Sequence, residues 1–203
     1  MSDPRAALPA QARGRDFLDA AAFVRETYGA EAHDRVLAAL DPHHRALFQQ
    51  SIRDVDWYPL DALVVYLRAA QAILDPDSAD FFRRQGFFAA QRQRAVLLAN
   101  AMATPESRAR LAPTTWRMFY SVGRLEVVGD SPGDARGRIH DFPATAELCE
   151  RFCGIWEGMV STPERRVRAE ETRCVRRGDP YCEIRIAPTP AAEPSRPGDR
   201  EPG

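Results

Sequence analysis

Lysine is absent from this chain. All 28 of its lysine-or-arginine positions are arginine, a bias that reads as GC-rich codon usage, although it also leaves every such ion pair to the more rigid guanidinium. A basic surplus is lacking too. The net charge is −1 and the pI about 6.4, which removes the broad attraction that draws proteins onto nucleic acid or anionic membranes, and neither partner is expected. No stretch approaches the ~20 apolar residues of a membrane span. Met1 to Gln11 holds no secretory apolar run, so the expected location is the cytoplasm. Cysteine is scarce, at four residues, and in a reducing compartment these suit metal ligation or plain burial better than disulfides. Also missing are a glycine-rich nucleotide-binding motif and any motif that pairs a nucleophile with a base, so no enzyme is expected.

What is present describes one globular domain. At 203 residues, 44% hydrophobic and 28% charged, the chain can bury one substantial core. Residues 1–14 and 188–203, rich in proline, alanine and charge, are expected to be flexible tails around a single domain over 15–187. In its first part, 15–113, apolar residues recur at helical spacing. Phe17, Leu18, Ala21, Val24 and Tyr28 form one stripe before Gly29, and Leu60, Leu63, Val64, Leu67 and Leu74 form the strongest. Asp41-Pro42 has the form of an N-cap followed by proline at the first helical position. Further helices are expected over 77–91 and 95–103. Between residues 114 and 187 the period alternates: strands at 124–128 and 135–140, a helix from Pro143 through Met159, then strands at 165–174 and 181–186. The expected class is α+β, N-terminal helices packed on a C-terminal ββαββ antiparallel sheet unit.

All four cysteines fall in that second part. Cys149 and Cys153 are i, i+4 neighbours on one helical face, and Cys174 and Cys182 sit at the two ends of a hairpin connection. Thiolates converging from a helix and a hairpin suit tetrahedral zinc; four buried cysteines acting as small hydrophobes explain the same spacing.

The stretch from Cys149 through Gly154 to Gly158, followed by Glu171, Cys174, Gly178 and Cys182, resembles the end of the 4-vinyl reductase domain, also found in the sensory modules of bacterial phenol- and xylene-responsive activators. The resemblance implies a homodimer with a structural zinc held by Cys149, Glu171, Cys174 and Cys182; Cys153, unmatched in that pattern but one helical turn from Cys149, is the alternative to Glu171 as fourth ligand. On a regular strand Glu171 and Cys174 point to opposite faces, so that ligand set requires a bulge or an early strand end. Segments 24–32, 56–61 and 118–128 are similar to a group of bacterial paralogues related to 4-vinyl reductase domains and, more remotely, to haem-dependent nitric-oxide sensors. Those sensors carry a Tyr-x-Ser-x-Arg motif; in Tyr120-Ser-Val-Gly-Arg124 the spacing differs, the serine standing directly after the tyrosine, and no histidine is placed as a haem ligand, which argues against haem. His43 and His44, adjacent on a helix, diverge by about 100° and do not share an ion.

The expected function is a ligand-binding regulatory module with structural zinc that signals through a protein partner. Its ligand would be a hydrophobic or aromatic small molecule, with Trp57, Phe87 and Trp116 as pocket residues. An adaptor that binds no small ligand is the alternative, and a tetrapyrrole vinyl reductase a more distant one.

Overall fold

The computed structural model describes residues 9–93, 105–129, 136–161 and 167–188. The chain is α+β with antiparallel sheets. Strand β1 (Gln11–Arg13) leads into α1 (Gly14–Tyr28), α2 (Ala30–Ala39) and α3 (Pro42–Gln49); β2 (Trp57–Pro59) then leads into α4 (Leu60–Leu74) and α5 (Phe81–Arg92). Helix α6 (Pro105–Phe119), strands β3 (Arg124–Val128) and β4 (Arg136–His140), α7 (Ala146–Val160), β5 (Val167–Arg173) and β6 (Cys182–Pro188) complete it. The larger sheet has the order β3-β4-β6-β5, antiparallel throughout. No described helix is long and apolar enough to cross a membrane.

Local chemistry accounts for several boundaries. Asp41 accepts backbone hydrogen bonds from His43 and His44 with Pro42 at the first helical position, the arrangement its sequence implies. Thr145 caps α7 by accepting from Leu148 N at 3.3 Å.

The N-terminal expectation needs correction. Residues 11–13 are not a tail: β1 pairs with β2 in register Ala12↔Tyr58, Ala12 is fully buried, and Ser121 N donates to Gln11 O at 3.0 Å. Three residues are too few to show strand periodicity, so only the partner strand reveals them. The helical part also runs past residue 113. Pro113 lies inside α6, where the lost N–H and ring clash ordinarily end a helix; burial of Trp116, and of Tyr120 just beyond the helix, compensates through tertiary packing. The helix expected over 95–103 and the tail over 189–203 lie outside the described residues.

Helix α7 is the centre of the fold. Its burial extends nearly all round, from Leu148 and Cys149 through Arg151 to Gly158, because it packs on α5 on one side and on β5 and β6 on the other. The α5–α7 approach is close enough to require glycine. A Cβ on Gly86 would lie 2.0 Å from the Arg151 carbonyl oxygen, and one on Gly154 would lie 1.9 Å from that of Arg83.

Candidate metal centre

Helix α7 carries Cys149 toward the sheet, and the β5–β6 connection brings the other groups to meet it. After Cys174 the chain makes a single 3-10 turn (Val175–Arg177), then Gly178 adopts φ 89°, ψ 6°, a left-handed conformation that glycine enters without Cβ cost. Asp179 closes the turn: its Oδ2 accepts from Cys174 N at 2.8 Å. Cys182 then opens β6 opposite.

Ligand-type atoms of Cys149, Glu171, Cys174 and Cys182 all lie within 4.8 Å of one another. The Cys174 sulfur is 3.7 Å from that of Cys149 and 3.6 Å from that of Cys182. A disulfide would need about 2.05 Å, whereas sulfurs around a tetrahedral ion with bonds of about 2.3 Å stand about 3.8 Å apart. A void of about 10 Å³ adjoins three of these groups, Cys149, Glu171 and Cys182, and is otherwise lined by the apolar Ile139, Phe142, Ala144, Phe152 and Ile184, room for roughly one water-sized particle. Glu171 Oε2 accepts from Arg177 at 2.8 Å, while Glu171 Oε1 is buried without a hydrogen-bond partner. An orphaned carboxylate oxygen beside three buried sulfurs is the donor set of a thiophilic metal ion.

Glu171 reaches this point because β5 is irregular. The β5–β6 register shifts between Glu171 and Arg173, and that one-residue bulge turns Glu171 to the side of Cys174. Cys153 does not join the group. It is fully buried one turn along α7, and burial pushes its thiol up to about 12. Within the cluster the hydrogen bond from Cys149 pulls Cys182 down to about 6, while Cys149 is raised by its bond to Cys182 and by burial, and Cys174 by burial. Neighbouring thiolates repel, which holds the cluster short of full ionisation, whereas a bound cation would favour the thiolate form of all three sulfurs.

The three pocket aromatics do not share a cavity. Trp57 is half-buried under the Arg13 guanidinium, 3.8 Å from its ring centre, and Trp116 packs in the core on Tyr120, Phe142 and Phe152. Phe87 alone lines the larger described cavity, a surface cleft of about 240 Å³ shared with Arg83, Arg84, Glu157 and Arg168. These rings fill the core and its rim, which is the commoner use of aromatic side chains.

A buried polar network escaped sequence inspection. Arg151, fully buried, donates to Gln85 Oε1 at 2.7 Å, Tyr120 Oη at 3.0 Å and Asp16 Oδ1 at 2.7 Å. No motif signals it, because the four residues come from four separate parts of the chain.

No protein-family model matches the chain, and no curated protein does. Solved structures do match. An H-NOX protein from S. oneidensis in its Fe(II)NO ligation state is 12% identical, over 87% of this chain and 99% of that one, with a TM-score of 0.64. The fold is that of the H-NOX proteins. An unliganded Fe(II) H-NOX protein from K. algicida is 9% identical over 87% and 96% of the two chains, TM-score 0.62. An oxygen-binding H-NOX domain related to soluble guanylate cyclases, solved as its oxygen complex, is 11% identical over 87% and 95%, TM-score 0.61. At such identities the H-NOX likeness is one of fold.

The cofactor expectation is thereby corrected. Zinc as the cofactor and the exclusion of haem on motif spacing do not stand, because the matched structures are of H-NOX proteins, among them Fe(II) ligation states and a structure on haem distortion in that family. The described residues do not by themselves supply a haem site. His33 is bonded to Tyr66 and Arg25, His44 to Asp41, and His140 to Glu126, while the larger described cavity falls below the roughly 300 Å³ at which small-molecule pockets begin. Residues 94–104, between α5 and α6, lie outside them.

Proposed function

We propose that this chain is a non-catalytic sensor module of the H-NOX fold, acting in the cytoplasm as a homodimer that passes its ligand state to a protein partner. The single observation behind this reading is the match over 99% of an H-NOX chain at TM-score 0.64. Its ligand is a small molecule or haem group. The cluster of Cys149, Glu171, Cys174 and Cys182 holds a metal ion that joins α7 to the β5–β6 turn, and the order of two strands, α7 and two further strands is what the 4-vinyl reductase resemblance would share with this fold.

Thermal unfolding tests the sensor reading. A ligand that binds only the native state raises Tm with concentration, so titrations with haemin and with small phenols should show such a rise for one of them, and haemin binding should add an intense Soret band. A fully folded protein that responds to neither favours the second reading, an adaptor without small ligand. The void beside the cysteine cluster, about 10 Å³, is too small for such a ligand, which is in keeping with that alternative.

A further inference from the structure

We propose that two copies of this chain meet through the face formed by the loop 53–56 and the outer side of α6. Four large apolar side chains among the described residues are exposed, Leu18, Val55, Leu111 and Met118, and they gather here.

Arg13 ties two of them together. Its guanidinium donates to the carbonyl oxygens of both Val55 and Met118 and lies over the half-buried Trp57 ring. Leu111 precedes Met118 by two turns of α6, so the two share one edge of its exposed side. Leu18 stands one turn along α1 from the point where that helix meets the loop, since Gly14 N donates to Asp56 O at 2.8 Å and Arg15 N to Asp54 O at 3.1 Å. One exposed leucine needs no explanation. Apolar side chains brought to one face from three separate parts of the chain form a patch, and such patches mark interaction surfaces.

Charge identifies the occupant as a second copy. Arg110 and Arg117, again two turns apart on α6, flank its apolar edge; both are exposed and have no ion-pair partner among the described residues. Asp54 on the loop is exposed and equally unpaired among them. The patch therefore carries free charge of both signs on two different elements. A two-fold axis complements both at once, because in such a contact residue i meets residue j and j meets i. Turned about that axis, α6 of one protomer covers the loop of the other, with Arg117 opposite the partner's Asp54 and Leu111 and Met118 against the partner's Val55. An anionic lipid surface would instead be repelled by Asp54 and Asp56. The inference rests on the homodimer in the reading above and names its contact surface; it is independent of which ligand or metal the protein holds.

The test is sedimentation equilibrium of the full chain over a range of concentrations. The parent should be a dimer, and a variant carrying Val55→Asp and Met118→Asp a monomer with the circular dichroism of the parent, since both positions are exposed. Asp54→Arg and Arg117→Asp should each weaken self-association about tenfold, because each sets like charges against one another. An equimolar mixture of those two variants should associate as tightly as the parent, since in the mixed dimer every such contact again unites opposite charges. A parent that is monomeric at every concentration overturns the homodimer reading and this surface together. A parent dimer that the Val55→Asp and Met118→Asp variant leaves intact, or a mixture that associates no more tightly than its two components, overturns the surface alone. Two further outcomes overturn it by naming another occupant: binding of a monomeric parent to anionic vesicles assigns the face to a membrane, and dimerisation only after removal of residues 1–8 shows that the chain's own N-terminus covers it.

Discussion

Arg151 on α7 donates to Asp16 on α1 at 2.7 Å across 135 residues of sequence, with both side chains buried. The pair joins the first helix to the central one, and Gln85 and Tyr120 fill two of the remaining donor directions. Removing one partner leaves an uncompensated charge in the core. Asp16→Asn or Arg151→Met should each cost about 3–5 kcal/mol in chemical unfolding, and a double variant carrying both should recover part of the loss. A single variant as stable as the parent would show that the pair is neither ionised nor enclosed.

Gly86 and Gly154 predict a contrast with Gly178. Alanine at either helical position meets a backbone oxygen near 2 Å, so the helices must separate, and a cost of about 3 kcal/mol is expected. At Gly178 nothing lies within 4 Å of the added carbon but φ is positive, so Gly178→Ala should cost only about 1 kcal/mol. Comparable losses at all three sites in urea unfolding would contradict the close α5–α7 packing.

His33 supplies a pH dependence. Its Nε2 faces the Arg25 guanidinium at 2.6 Å and its Nδ1 the Tyr66 hydroxyl at 2.8 Å, so the neutral ring accepts from one and donates to the other. Burial first, and Arg25 second, lower its pKa from 6.5 to about 4. The unfolded chain therefore takes up the proton before the folded one. Stability from this group is complete above about pH 6.5, falls by about 3 kcal/mol as pH drops to about 4, and levels off below. Unfolding free energy measured across that window should show the slope, and His33→Gln should flatten it; an unchanged slope in the variant removes His33 as its source.

The metal centre predicts which fourth ligand matters. Glu171→Gln and Cys174→Ser should each lower the metal content of purified protein and weaken the thiolate charge-transfer absorption of added Co(II), whereas Cys153→Ser should change neither, since Cys153 lies outside the group. Chelation should lower Tm because binding is coupled to folding of the β5–β6 turn. Material that is metal-free and equally stable with or without chelator would reduce the cluster to buried thiols.

Long elements were legible because their signals are local, and the four-residue cluster because it matched a family pattern. The stripe of α4 repeats at helical spacing, the hairpin β3–β4 surrounds a turn-rich segment, and the pattern around Cys149, Glu171, Cys174 and Cys182 matched residues that the folded chain brings together. Even the bulge at Glu171 followed from requiring two residues of one strand to face the same way. The missed features are all relational. Strand β1 exists only because β2 lies beside it, Pro113 stays helical because Trp116 is held in the core, and Trp57, Phe87 and Trp116 look alike in sequence while lying in three different environments.

By itself, then, the sequence determined where the long helices and strands form and which residues are apolar, because these depend on periodicity and on contacts a few residues apart, while its resemblance to a metal-binding pattern singled out Cys149, Glu171, Cys174 and Cys182. Only the tertiary structure decided that Arg151 is a core residue, that α7 lies between α5 and the sheet, and that the whole has the H-NOX fold. Those outcomes depend on which distant segments exclude water from one another, and no short-range pattern encodes that choice.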